Sequence, residues 1–164
     1  MMDISEFLLS NPLFETFSMT ETETLARALT TATYPDGHVF VREGKKGDAC
    51  YLILDGDVSV TRTATEGRGI EHVRTMGPGE LFGLIALVDH GKRAATCTAV
   101  GEVTAASLPL NAFDMLFRSN APIAHHFQYV IARQLARDLR AYNHALLAML
   151  LGQQPEAKVL LRAI

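Results

Sequence analysis

The spacing of apolar residues changes period twice along the chain, dividing it into helical, strand-like and again helical parts. Residues 4 to 33 read as helical. Phe7, Leu8, Leu13, Phe14 and Phe17 are apolar, Thr20-Glu21-Thr22-Glu23 resembles a capping signal, and Leu25, Ala26, Ala28 and Leu29 form the stripe of a second helix. After the turn Pro35-Asp36-Gly37 the period becomes two. Val39 and Val41 share one side of a short strand, and Glu43 to Asp48 form a turn. Tyr51 to Leu54 read as a buried strand closed by Asp55-Gly56-Asp57, and Val58 to Thr63 alternate. A polar tip at Thr65 to Gly69 separates these from a strand at Ile70 to Met76, stopped by Gly77-Pro78-Gly79. Two more strands follow, Ala94 to Val100 and Val103 to Leu108, joined at Gly101-Glu102. Many short strands punctuated by glycine turns imply an antiparallel jelly roll.

From Asn111, a plausible N-cap, the helical period returns through Phe113, Leu116 and Phe117. Ser119-Asn120-Ala121-Pro122 opens a long helix in which Ile131, Leu135, Leu139, Tyr142, Leu146 and Met149 recur every three or four residues. That run lasts about 28 residues, or roughly 40 Å. A helix so long cannot bury its whole stripe on so small a domain, so the natural partner is the same helix of a second chain. Ile131, Leu135, Leu139, Tyr142 and Leu146 are therefore the expected dimer interface, and Gly152 and Pro155 the expected helix end. The expected organisation is N-terminal helices at 1–34, a jelly roll at 35–110, C-terminal helices at 111–151 and a short tail at 152–164.

Candidate chemistry concentrates between the strands, at residues 79–96. Gly83 lets backbone approach a ligand closely, and a short apolar helix beginning at Leu84, Ile85 and Ala86 presents unpaired N–H groups. Arg93 follows nine residues after Leu84. Together these suit one small anion, such as a cyclic phosphate, because a guanidinium grips two oxygens at once.

The bulk numbers narrow the remaining classes. The 164 residues suit one domain with an appendage, and a hydrophobic fraction of 48% supports a real core. A net charge of −3 gives no overall basic field for nucleic acid. Arg133, Arg137 and Arg140 form a row on the long helix, either a basic stripe for an acidic partner or the solvated face of a coiled coil. No apolar run reaches membrane-spanning length, and Met1 to Glu6 carry no positive region of the signal-peptide kind. Cys50 and Cys97 sit in strand-like apolar surroundings and read as buried thiols, which fits the cytoplasm. His38, His72 and His90 stand alone, and His125-His126 face different ways on a helix, so no metal spacing arises. No nucleophile pattern or phosphate-cradling Walker loop is present, so the expectation is a protein without catalysis.

The order of elements resembles the cyclic nucleotide-binding domain family, which includes catabolite-activator-type regulators and the regulatory subunits of cyclic-AMP-dependent kinase. The resemblance runs over about residues 5 to 150 and rests on several motifs. These are Gly37 with Val39-Phe40-Val41, Glu43-Gly44 and Gly47-Asp48, Tyr51 to Leu54 with Gly56, Gly77 to Gly83, and Arg93-Ala94-Ala95-Thr96. It implies that Gly83 admits the cyclic phosphate and that amides around Leu84, Ile85 and Ala86 bond its oxygens. Arg93 would then pair its charge, and the N–H of Ala94 or Ala95 would add a contact. It further implies that the long helix covers the base near Asp138, Leu139 and Tyr142. Asp138 is then either an acceptor for an exocyclic amine or an acid paired with a nearby arginine such as Arg137 or Arg133.

Leu84 departs from the pattern, since ligand-binding members carry there a glutamate that accepts the ribose 2′-hydroxyl. A desolvated hydroxyl without a partner costs about 1–3 kcal/mol. The expectation is weak or absent binding of cyclic AMP and cyclic GMP, with two alternatives: a ribose that rotates toward solvent or meets another residue and keeps useful affinity, or a different small anion that is apolar where the ribose would sit. Only about a dozen residues follow Leu151, too few for the helix-turn-helix of the activators, so no direct DNA reading is expected. Two functions remain in view: a dimeric sensory module with an unknown protein partner, and a ligand-independent dimeric scaffold that keeps only the fold.

Overall fold

The computed structural model describes residues 3–64 and 69–153. The chain begins with α1 (Ile4–Ser10), a short 3-10 turn at Pro12–Phe14 and α2 (Met19–Ala28). Asp3 caps α1, with its side chain accepting from the N–H of Ser5. Helix α2 starts from a capping box of Ser18 and Glu21, two residues before the expected signal.

Among the described residues the strands are β1 (Thr30–Tyr34), β2 (Val39–Val41), β3 (Ala49–Thr63), β4 (Ile70–Met76), β5 (Leu81–Phe82) and β6 (Thr96–Pro109). All pairings are antiparallel, in the order β1-β6-β3-β4, with β2 on β6 and β5 on β3. The architecture is therefore mainly antiparallel β with flanking helices, as the strand rhythm predicts.

Several local expectations are corrected. Residues 30–34 are a strand and not the end of the second helix. Thr30, Thr31 and Thr33 are β-branched and stiff, and they pair with residues 103–107 of β6. The segments on either side of Asp55-Gly56-Asp57 are one strand, as are those flanking Gly101-Glu102, because the pairing shifts register at the two bends and resumes beyond them. Gly56 has φ +85°, and a Cβ there would lie 2.5 Å from the carbonyl oxygen of Glu102, so the bends nest against each other. Strand β6 begins at Thr96, two residues later than expected, since Ala94 and Ala95 belong to the exit of the cassette, the candidate anion-binding segment at residues 79–96.

A four-residue helix, α3 (Ile85–Val88), lies between β5 and β6. Helix α4 (Leu110–Arg118) starts directly after Pro109, whose extended backbone serves as the cap in place of Asn111. Helix α5 (Pro122–Gln153) runs through Gly152, because one glycine weakens a helix without ending it. Residues 65–68 of the expected hairpin tip, the stop at Pro155 and most of the tail lie outside the described residues.

The sheet separates two packed clusters. Phe40, Ile53, Val58, Val60, Val103 and Ala105 fill the interior of the roll. Leu8, Leu13, Leu52, Leu87, Phe113, Phe127 and Ile131 join the helices to its outside. Ile131 is thus committed to its own chain's core and is withdrawn from the expected dimer interface. Leu135 is half-buried against that cluster, while Leu139 is 61% and Leu146 55% exposed.

Candidate functional site

Gly83 and Arg93 bracket α3 and meet at the floor of one cleft. The Arg93 side chain folds back so that Nη1 donates to the Gly83 carbonyl at 2.6 Å. Nη2 donates to the Ala49 carbonyl at 2.6 Å and to Asp48 Oδ1 at 3.1 Å. Gly83 has φ +77°, and any Cβ there would come within 2.9 Å of Nη1, so only glycine permits this approach. Arg93 is 4% exposed, whereas its carboxylate partner Asp48 has a side chain that is 88% exposed. A buried cation thus rests on two carbonyls and one solvated carboxylate.

Residues 83–86 and 93–95 line the cleft together with Val41, Val60, Met76, Phe82, Cys97, Arg74, Asp138 and Tyr142. Gly83, Leu84, Ile85, Ala86, Arg93, Ala94, Ala95, Asp138 and Tyr142, singled out from the sequence, are therefore brought to one place. Leu84 precedes α3 and caps it with no side-chain bond. It is 2% exposed and packs into the same cluster as Leu8, Leu13 and Leu87. The wall beside Arg93 is accordingly apolar.

The opposite wall is an ionic network. Arg74 of β4 donates from Nη1 to Glu80 Oε1 at 2.8 Å and from Nη2 to Asp138 Oδ1 at 2.5 Å. Gln134 donates to the same Asp138 oxygen at 2.9 Å, and its own Oε1 accepts from the N–H of Leu81 at 3.2 Å. Glu80 also accepts from the N–H of Gly77 at 2.9 Å. Asp138 is therefore half-buried and paired with an arginine of the roll, not with Arg137 or Arg133. Arg133 instead reaches Glu15 and the Pro12 carbonyl. Burial pushes the Asp138 carboxyl above its usual range, against the pull of Gln134 and Arg74. Burial also works to lower Arg74, but Glu80 and Asp138 outweigh it and hold the guanidinium firmly charged. Tyr142 is raised by burial and by the Asp138 charge. The Arg74 Nε is buried with no partner among the described residues.

Arg74, Glu80 and Gln134 were not evident from the sequence. A signal existed: Gln134 and Asp138 continue, at spacings of three and four, the buried row Phe127, Val130 and Ile131. Polar residues on an apolar row mark a buried polar contact. The same row leads on to Tyr142, which lines the cleft while Leu139 and Leu146 face outward.

The other candidates are dispersed. His38 packs between Tyr34, tilted against it, and the edge-on Phe40, with ring centroids 4.5 and 4.8 Å away, and His126 Nδ1 lies 3.0 Å from Glu21. Among the described residues no three His, Cys, Asp or Glu side chains are grouped to hold a metal ion. No helix among them is long and apolar enough to cross a membrane. Cys50 and Cys97 are free and buried, and burial pushes both thiols up to about 12.

Comparison with known proteins agrees with this geometry. The profile of the cyclic nucleotide-binding domain matches residues 31–120. A CRP-like cAMP-activated global transcriptional regulator of Mycobacterium tuberculosis is 31% identical over 135 residues, covering 82% of this chain and 59% of that protein. A cAMP-dependent protein kinase regulatory subunit of Dictyostelium discoideum is 32% identical over 143 residues, covering 86% of this chain and 40% of that one. The chain thus spans about half the length of these relatives. The crystal structure of a cyclic nucleotide-binding domain from Methylobacillus flagellatus KT superposes with a TM-score of 0.76 at 26% identity, covering 88% of this chain and 81% of that one. With its glycine–arginine floor, antiparallel roll and long closing helix, the chain belongs to the cyclic nucleotide-binding domain family.

Proposed function

We propose that the chain is a non-catalytic sensory module whose cleft takes a small anion and binds cyclic AMP or cyclic GMP weakly. The family is regulatory, which supports the absence of catalysis. The observation that carries the reading is the pairing of a buried Arg93 with an apolar wall at Leu84. Arg93 supplies charge for a phosphate. Leu84 supplies no acceptor for a ribose hydroxyl, which would be desolvated beside it. At the far wall, Asp138 and Tyr142 stand where a base or other ring would end.

Occupancy of the cleft would compete with the contacts of Arg74, Asp138 and Gln134 and so reposition α5. Such coupling requires that ligand bind the two positions of the helix with different affinity. Dimerisation through the outward leucines of α5 would carry the change to a protein partner.

Calorimetric titration with cyclic AMP, cyclic GMP and cyclic di-nucleotides, with Arg93→Ala as control, tests this. Binding that is weaker than micromolar and vanishes in the variant is the expected result. Tight binding by the parent would overturn the role given to Leu84. Binding unchanged in the variant would overturn the anion site.

A second reading is favoured by one observation. Arg93 already holds three acceptors of its own chain. A ligand-independent scaffold would use those bonds only to pin α3, and it would give no heat with any anion while remaining a dimer.

A further inference from the structure

We propose that the turn between β2 and β3, together with the exit of the cassette, forms a docking surface for an acidic peptide segment of a partner protein. Three of the chain's four lysines, Lys45, Lys46 and Lys92, are exposed here beside exposed Arg42. Backbone bonds hold them in one fixed strap. The N–H of Gly44 donates to the Arg93 carbonyl at 2.9 Å, and the N–H of Arg93 donates to the Lys45 carbonyl at 2.7 Å. Lys46 and Lys92 face each other across an antiparallel bridge.

The strap carries more positive than negative charge, with Arg42, Lys45, Lys46 and Lys92 set against Glu43 and Asp89 while Asp48 pairs with Arg93. Arg27, Arg74, Arg93, Arg118 and Arg133 each hold a carboxylate, yet none of the four strap cations has an ion pair among the described residues. None of the acids nearby pairs with a strap cation, and Asp89 accepts from the N–H of Gly91 at 2.8 Å. Glu43 accepts from the N–H and hydroxyl of Thr63 on β3, and Asp48 accepts from Arg93. Like charges directly opposite each other on paired strands repel, so the Lys46–Lys92 apposition costs stability until an anion sits between them.

The chemistry selects the partner. Ammonium groups are point charges that suit carboxylates held at variable angles. The strap presents no exposed aromatic ring on which a base could stack, and the chain as a whole is negative at −3, which disfavours a long polyanion. A short acidic segment answers four clustered charges without approaching the rest of the surface. Because the strap is bonded in both directions to the backbone of Arg93, a segment seated there rests directly on the cassette.

Fluorescence anisotropy of the full chain with a labelled peptide of alternating Glu and Ser is the test. The comparisons are a Lys/Ser peptide of equal length and a single-stranded oligothymidylate. The acidic peptide alone should bind, and its affinity should fall steeply with salt as the screening length shrinks to about 10 Å at roughly 0.1 M. The variant Lys45→Gln/Lys46→Gln/Lys92→Gln should weaken it by about tenfold or more, through loss of charge complementarity. The thermal midpoint of that variant should be unchanged or raised, because the facing ammonium groups are gone. Lys45→Gln alone, which leaves the bridge intact, should give an intermediate loss. Peptide affinity within about twofold of the parent in the triple variant would overturn the site, and tighter binding of the oligonucleotide would overturn the class of partner.

Discussion

Leu84 sits at the junction of two demands, since the same residue closes the helical core and walls the cleft. Replacing it with Glu would place a carboxylate among Leu8, Leu13 and Leu87. We expect Leu84→Glu to lose about 2–3 kcal/mol at neutral pH through desolvation, with part recovered near pH 4 to 5 as the group protonates. Urea unfolding at the two pH values reads this. In the same variant, cyclic AMP should bind more tightly than in the parent, because a ribose acceptor is restored. A second residue-scale prediction concerns Cys50 and Cys97. Their folded thiols are raised from 9.0 to about 12, so the unfolded chain loses protons first as pH climbs. The unfolded state then binds fewer protons than the folded one, and stability should fall between those two values. Thermal midpoints measured from pH 8 upward should decline in the parent and decline less in Cys50→Ala/Cys97→Ala.

Between elements, the Arg74–Asp138 contact joins β4 to α5 with help from Gln134 and Glu80. Arg74→Met should cost about 2–3 kcal/mol, because it strands a half-buried carboxylate. Arg74→Met/Asp138→Leu should be less damaging than the two single changes combined. A double-mutant cycle by chemical denaturation gives the coupling directly, and additive losses would show that the two side chains do not interact. This contact also marks the limit of what could be read from the chain. Gly83 and Arg93 lie ten residues apart in a continuous motif, so local spacing exposes them. Arg74 and Asp138 lie sixty-four residues apart, and nothing in the local pattern of either names the other. Thr30–Tyr34 escaped for a different reason. It follows α2 after one residue, with no glycine or proline to mark the change, and only its pairing with β6 makes it a strand. The long helix is legible as a helix, and Leu139 and Leu146 of the expected stripe face outward while Ile131 and Tyr142 turn toward the roll. The row through Gln134 and Asp138 faces the roll, and polar residues concealed it.

For the molecule as a whole, the unpaired surface of α5 is the feature that bears on assembly. Leu139, Leu146, Leu147 and Leu150 are all exposed along its outer half. If that half is the dimer seam, Leu139→Glu/Leu146→Glu should yield a monomer in sedimentation velocity with little change in the melting of the roll, since exposed substitutions usually shift stability by about 0.5 kcal/mol or less. An unaltered dimer would place the interface elsewhere. Leu135→Glu is the less informative probe, because Leu135 also packs on its own chain.

The two bent strands β3 and β6 have a temporal consequence. They pair from Ala49 with Pro109 to Thr61 with Thr96, so every rung joins residues far apart in the chain. Searching for such remote partners is slow, and it precedes most of the stabilising contacts. The segment carrying β4, β5 and the cassette is strung between these strands as a loop, so the bonds of Arg93 to Ala49 and Asp48 form only as that ladder closes. Acquisition of the cleft should therefore be among the last events of refolding. In a pulsed hydrogen-exchange experiment, the amides of β3 and β6 should gain protection before those of residues 84–95.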